Sequence, residues 1–305
     1  MSERVPRRRV DGVLLLDKPA GLSSNAALQR AKRLLGAEKA GHTGTLDPLA
    51  TGLLPIALGE ATKFAQSLLD APKGYEAIVR FGAETETGDA EGAVVRTMPV
   101  PPHRAAIDAI LPRFLGRQLQ TPPRHAALKH RGRAYYDWAR AGVEIPRPPR
   151  EIEIRALDVL GWRAPDLVLA VACSKGTYVR VLAEDLGAAA GSCAHLAALR
   201  RTATGGFRLA DAVTLERLEA MSPAERVARL LPVDALVQGM PRLDLPEIEA
   251  ARFRHGVAVP APGAAPGRSA VYASGSLLGL ADVGEGIARP ARLVVPPVPG
   301  EPVSS

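Results

Sequence analysis

The run Gly41-His42-Thr43-Gly44-Thr45-Leu46-Asp47-Pro48-Leu49-Ala50-Thr51-Gly52 places one histidine and one aspartate five positions apart among glycines. Glycine permits close approach of a ligand and backbone angles that other residues resist, and Pro48 restricts Asp47 to an extended or turn conformation. The pattern suits a rigidly aimed carboxylate. It also suits a structural turn in which both side chains bond nearby backbone. A phosphate cradle fits less well, because the run lacks the Gly-Lys-Ser/Thr ending of a P-loop and the spacing of a dinucleotide fingerprint.

A second group of residues points to nucleic acid. Between Pro122 and Arg150, seven cations (Arg124, Lys129, Arg131, Arg133, Arg140, Arg147 and Arg150) stand against Asp137 and Glu144, a local excess of five. Tyr135, Tyr136 and Trp138 interrupt the charges, so phosphate attraction is combined with stacking surfaces, as an RNA clamp requires. A solvated helical face has the same composition. Cys173 follows an apolar strand and reads as a buried filler. With only Cys193 besides, no zinc site or disulfide framework is expected, and no metal is assigned.

The elements that must position these residues can be read from periodicity. Gly12 to Asp17 is a short buried strand, and Ser23 or Ser24 caps a helix through Leu35. The Gly-rich loop leads through Leu53 to Leu58 into a helix over Glu60 to Leu69, with Phe64 and Leu68 facing inward. Tyr75 to Phe81 reads as a strand whose hairpin partner is Ala93 to Thr97. A helix is expected over Ala105 to Leu115, strands over Glu151 to Val159 and Leu167 to Cys173, and a helix from Tyr178 to Ala190. Short helical patterns follow Thr214 and Pro223. The mixture predicts an α+β fold with a largely antiparallel sheet flanked by helices. Pro232 and Pro241 bracket a domain joint. Beyond it, apolar runs at Ser269 to Tyr272, Leu277 to Ala281 and Arg292 to Val295 suggest a small all-β module, giving domains at 1–238 and 239–305, the latter with a flexible tail.

The 305 residues suit one large domain with a small appendage. The net charge of +7 and pI of 9.7 draw the chain toward phosphates. No apolar run reaches membrane-spanning length and no secretory signal is legible, so the cytoplasm is the expected location.

The run Gly41 to Gly52 with Leu53 to Lys63 closely resembles the active-site signature of the bacterial tRNA pseudouridine-55 synthase family. GVLLLDKPAGLSSN at Gly12 to Asn25, ALKHRGRAYYDWARAGVEIPR at Ala127 to Arg147, CSKGTYVRVLAEDLG at Cys173 to Gly187 and HLAALRR at His195 to Arg201 resemble that family's other landmarks, in order. FRHG at Phe253 to Gly256 and the RPARLVV run from Arg289 resemble its small carboxyl-terminal PUA-like RNA-binding module. One departure is Ala126, where the family usually carries serine.

The resemblance implies the pseudouridine synthase fold and isomerisation of uridine 55 in the T-arm of transfer RNA by a cofactor-free reaction on a flipped base. It carries the catalytic aspartate onto Asp47, its arginine partner onto Arg180, substrate-contacting tyrosines onto Tyr75 and Tyr178, an RNA-contacting histidine onto His42 and a pocket leucine onto Leu199. Tyr75 is expected to stack on the base first and to relay a proton second, since an ordinary phenol is a poor unaided base at neutral pH. Transfer RNA is the expected partner of a monomer with no obligate protein partner. Three rival readings are an RNA chaperone, a guided synthase inside a ribonucleoprotein, and a nucleotide-binding enzyme. The last is weakest, because the loop offers no accompanying lysine.

Overall fold

A computed structural model describes residues 7–296. A ten-stranded mixed sheet carries the first part of the chain and a five-stranded sheet the last. Along its main path the large sheet uses β1 (Gly12–Lys18), β2 (Thr51–Leu58), β3 (Lys73–Phe81), β4 (Gly116–Gln120), β5 (Arg150–Arg163), β6 (Asp166–Cys173), β7 (Ala194–Thr204) and β8 (Val213–Thr214). Their spatial order is β8-β1-β2-β7-β3-β6-β5-β4. Only the β1/β8 and β2/β7 pairs are parallel, so the sheet is largely antiparallel, as the sequence predicts.

Alternation explains why β1 and β2 are nearly continuous apolar runs. Successive strand side chains point to opposite faces, and a strand covered on both sides is apolar throughout. Leu14, Leu16, Leu54, Ile56 and Leu58 pack on one face with helix α1 (Ser24–Leu34). Val13, Leu15, Leu53 and Ala57 pack on the other with Phe64 and Leu68. A separate cluster joins β3, β5, β6 and β7 to helix α2 (Val179–Ala189). Tyr75 and Leu199 are partly buried against both this cluster and the α1 cluster. They mark the seam where the two cores meet.

Several local expectations need correction. The 60–69 helix is a 3-10 turn (Gly59–Lys63) followed by a short α-helix (Ala65–Leu69). Ala93 to Thr97 does not return against Tyr75 to Phe81. Val94–Thr97 pairs instead with Ala83–Thr85, because β3 already has β6 on one side and β7 on the other. The helix expected over 105–115 is Arg104–Asp108 and then a 3-10 turn, Leu111–Phe114. Pro112 lacks the N–H that would continue it. Strand β5 runs on to Arg163, past the expected Val159. Strand β7, which periodicity does not predict, lies in the middle of the sheet.

The carboxyl-terminal sheet comprises β9 (Arg242–Asp244), β10 (Val259–Pro260), β11 (Gly267–Ala273), β12 (Ser276–Gly284) and β13 (Ile287–Leu293), in the order β9-β11-β12-β13-β10. Helix α3 (Glu247–Arg254) packs on it through the fully buried Phe253. Ala270, Tyr272 and Leu280 of this sheet share a core with Phe64 and Leu68, and Lys63 donates to Leu293 O at 3.0 Å. The two sheets are thus packed together. The last residues of the tail, 297–305, lie outside the described residues. Among the described residues, no helix is long and apolar enough to cross a membrane.

Candidate active site

Asp47 is held by its neighbours in sequence. The Ser24 hydroxyl accepts from Leu46 N–H at 2.7 Å and donates to Leu46 O at 2.9 Å. On the other side, Pro48 O accepts from Gly21 N–H at 2.9 Å and from Lys18 Nζ at 3.4 Å. Lys18 also donates to Pro19 O and Leu22 O. Ser23 caps α1 by accepting from Ala26 N–H, so the two serines divide the work: Ser23 starts the helix and Ser24 fixes the loop. Asp47 lies between two clamped residues, its side chain still 41% exposed.

Facing it is Arg180, in the first turn of α2 and only 5% exposed, with Nη2 2.9 Å from Asp47 Oδ2. The same guanidinium meets Asp89 at 3.6 Å and donates to Thr87 O at 3.1 Å and His125 O at 2.9 Å. Asp89 is oriented in turn by the Thr87 hydroxyl at 2.6 Å and by Glu91 N–H. The start of α2 is fixed by Gln120, whose carboxamide accepts from Tyr178 N–H at 2.8 Å and donates to Tyr178 O at 3.1 Å. One buried cation thereby ties the Asp47 loop, the 85–91 turn and the start of the basic segment together.

Burial pushes the Asp47 carboxyl above its ordinary value. Arg180 opposes that rise, and the Asp89 carboxylate adds to it. Burial likewise pushes the phenols of Tyr75 and Tyr178 up, and both feel the Asp47 charge. Both phenols therefore stay protonated at neutral pH. Burial pushes Lys18 down to about 8, with Asp47 opposing.

His42 stands on a short strand, Ala40–His42, paired to β2. Burial, then the charge of Arg201, draws its pKa down, and its Nδ1 is buried with no partner among the described residues. A neutral ring suits stacking better than phosphate pairing.

Tyr75 and Leu199 come from neighbouring strands. In the β3/β7 register, Tyr75 lies opposite Arg201 and Ala77 opposite Leu199. Residues two apart share a face, so Tyr75, Leu199 and Arg201 project to one side while Arg200 projects to the other and pairs with Asp17 at 2.7 Å. Gly52 is required where β2 passes β7: its φ is +99°, and a Cβ there would sit 2.3 Å from Arg201 O.

Sequence reasoning named Asp47, Arg180, Tyr75, Tyr178, His42 and Leu199. The charge of Asp47 is felt at Arg180 and both tyrosines, while Leu199 and Tyr75 pack on the same two cores. It missed Lys18, Ser24, Asp89, Gln120 and Arg201. Ser24 and Lys18 lie in a quoted motif, but their partners are specified only by the fold.

The basic segment folds as a tight hairpin, Lys129–His130 against Arg133–Ala134, followed by a helix, Tyr135–Arg140. The Arg133 guanidinium lies 4.7 Å from the Trp138 ring centre and that of Arg140 5.6 Å from Tyr136. Lys129, Arg131, Arg133 and Arg140 are exposed. A cavity of about 160 Å³ separates this segment from Glu86 and is lined in part by His125, Tyr135 and Arg147. Ala126 is buried, so this chain places a methyl group in the core where the family's serine is expected.

Cys173 is buried, its thiol pushed up to about 11 by burial, and is no nucleophile. His195 is buried with Nδ1 2.8 Å from Ala83 O, a packing role.

Comparison with known proteins gives a consistent picture. Residues 32–179 match a model of the TruB family pseudouridylate synthase N-terminal domain. Residues 180–238 match a tRNA pseudouridylate synthase B C-terminal domain, and 241–294 a Pseudouridine synthase II TruB C-terminal model. The chain is 54% identical over 288 residues to the tRNA pseudouridine synthase B of Dechloromonas aromatica (strain RCB), covering 94% of this chain and 96% of that one. It is also 54% identical over 300 residues to the protein of that name from Ralstonia nicotianae, covering 95% and 96%. Among solved structures, a chain of a Cbf5-Nop10-Gar1 complex aligns with a TM-score of 0.69 at 28% identity, over 89% of this chain and 78% of that one. A chain of an H/ACA RNP bound to a substrate RNA aligns with a TM-score of 0.70 at 24% identity, over 93% and 85%, and shares the fold.

Proposed function

The chain belongs to the TruB family of pseudouridylate synthases, which makes it an isomerase, and we propose that it converts uridine 55 in the T-arm of transfer RNA to pseudouridine with Asp47 as the essential group. The observation that carries the assignment is the Asp47–Arg180 pair at 2.9 Å, set beside Tyr75 and Leu199 where two cores meet.

Pseudouridine formation breaks the C1′–N1 bond, turns the base and joins C1′ to C5. C5 loses a proton and N1 gains one, so nothing is oxidised or hydrolysed and the chemistry needs no cofactor. Asp47 acts as a carboxylate, whether it attacks C1′ or C6 or removes the C2′ proton. Arg180 keeps it charged against burial. A stacked uridine must leave the helix to reach it, at a cost of roughly a few kcal/mol. Tyr75 and Leu199 receive the flipped base, Tyr178 borders it, and the neutral His42 ring stacks where the base has left. Tyr75 holds the base by its face, since its raised pKa keeps the hydroxyl protonated and leaves no phenolate at neutral pH to take a proton.

The basic segment 122–150 closes on the RNA backbone. Residues 1–238 form the catalytic domain and 239–305 a PUA-like RNA-binding module. The protein works in the cytoplasm as a single chain without a protein partner.

The test is to incubate the purified protein with unmodified tRNA and map pseudouridine by position. Conversion at position 55, also on a bare T-arm hairpin, is expected. Asp47→Asn should lower the rate by roughly 10⁴-fold, as removal of a central catalytic group does, while RNA affinity is retained. Normal turnover by the variant would overturn the mechanism, and activity only in the presence of a guide RNA or partner protein would overturn the stand-alone reading.

A further inference from the structure

Arg201 is 1% exposed and heads the fully buried large side chains. Its Nε donates to Leu53 O at 2.7 Å and its Nη2 to Gly44 O at 3.2 Å. Among the described residues it makes no ion pair, unlike Arg180 and Arg200. A buried guanidinium whose partners, two carbonyls and the Tyr75 hydroxyl, are all neutral is costly, because its charge is desolvated without a counter-charge. One more cation lies within its influence: Lys73 is buried and feels Arg201 as a like charge, whereas Lys18 feels Asp47 more strongly than Arg201.

Counter-charge is spread unevenly over the site. Arg201 lies cross-strand from Tyr75 on the same face, and its charge reaches the Tyr75 hydroxyl. The carboxylates of Asp47 and Asp89 stand at the Arg180 end. Heterolysis of the C1′–N1 bond separates charge the same way. The electron pair stays on the base, which becomes a uracil anion delocalised over N1, O2 and O4. The sugar becomes electron-poor at C1′, and Asp47 answers that by bonding to it or by taking the C2′ proton. Attack at C6 also drives negative charge onto the base.

We infer that Arg201 is a positioning residue for the detached base: its uncompensated buried charge, set behind Tyr75, offsets the negative charge that develops on uracil when its bond to the sugar breaks. This rests on the pseudouridine reading above and assigns its electrostatics at the base end. Fixed charges aimed at where charge develops in a water-poor site are a large source of rate acceleration.

Leaving-group dependence tests it. Fluorine at C5 withdraws electrons, so a 5-fluorouracil anion needs less stabilisation than a uracil anion. The single-turnover rate of C1′–N1 cleavage, scored as loss of the starting nucleoside because C5–F has no proton to lose and cannot complete the isomerisation, should be compared for uridine and 5-fluorouridine at position 55 of a T-arm hairpin in the wild type, Arg201→Gln and Arg201→Lys. Arg201→Gln should lose about 100-fold on uridine but no more than about 10-fold on 5-fluorouridine. Arg201→Lys, which keeps the charge, should stay within about 10-fold on uridine, with RNA affinity unchanged for both variants. A merely structural role for the Leu53 and Gly44 contacts predicts equal losses on both substrates, and that result overturns the inference. If Arg201→Gln does not fold, Arg201→Lys decides alone: a loss beyond about 100-fold on uridine in a folded protein overturns it. Failure of the wild type to act at position 55 is a separate outcome and sinks the functional assignment instead.

Discussion

The Asp47–Arg180 centre and the basic segment at 122–150 both rest on arginine, and they use it in opposite ways. Arg180 is 5% exposed and has four protein partners, whereas Lys129, Arg131, Arg133 and Arg140 are exposed on a hairpin and a six-residue helix. A buried guanidinium has already lost its hydration, so it holds position only while every partner is present. A solvated one interacts weakly and is screened by salt. Chemistry that requires an oxygen at a fixed place is built from the first kind of charge. Attraction to a polyanion is built from the second.

Of the changes that set the two regions apart, the largest effect comes from breaking the buried centre. Arg180→Met removes the cation and leaves Asp89, itself 5% exposed, without a counter-charge. Stability should fall by about 3–5 kcal/mol, as for other broken buried pairs, and turnover by roughly 10³-fold. Urea unfolding and single-turnover rates check the two together. Loss of activity with unchanged stability would show that Asp89 is not held by Arg180, and the contrast between the regions would weaken.

A smaller effect sharpens the comparison through pH. Burial, with Asp89 adding, raises the Asp47 pKa above its ordinary 3.8, and Arg180 opposes the rise. The active form is the carboxylate, so the rate falls as pH drops through the raised value. The acid limb of single-turnover rate should therefore lie above the ordinary aspartate range. Asp89→Asn removes one charge that raises it, so the limb should move to lower pH. A limb that stays in place would mean that the Asp89 charge does not reach Asp47, and one that moves up would mean that Asp89 acts chiefly by holding Arg180.

The same division decides how much could be read from sequence. Asp47 and His42 are legible because the glycines and Pro48 that shape their loop adjoin them in the chain. The cations and aromatics of 122–150 are legible for the same reason, since exposed charge shows up as composition. Arg180, Tyr75, Tyr178 and Leu199 carry no local mark and are reached only through the family resemblance. Ser24 meets Leu46 across 22 positions and Arg201 meets Leu53 across 148, and no periodicity reports such a pairing. Strand β7 is illegible because bulges at Leu196/Ala198 and Arg201/Ala203 interrupt the alternation that identifies a strand, and because it is buried between β2 and β3 with arginines in its sequence. The 93–97 hairpin is misassigned because sequence proximity favours the nearest strand, while β3 has longer-range partners on both sides.

The smallest effect belongs to the exposed segment. Lys129→Ala and Arg131→Ala each remove one solvated cation and leave the core untouched. Each should weaken tRNA binding by about 2–5-fold near physiological salt and flatten the plot of log affinity against log salt by roughly 0.7–0.9 for each phosphate that is no longer neutralised. Turnover at saturating RNA should change by less than about 2-fold, since a uniform binding interaction lowers KM without touching the chemical step. Binding titrations at several salt concentrations, paired with single-turnover rates, separate the two quantities. His125 O accepts from Arg180 at the root of this segment, so the regions are joined at one point. A drop in saturated turnover on losing either surface cation would show that the segment's grip on RNA is transmitted through that joint to Asp47, and the two uses of arginine would then be one.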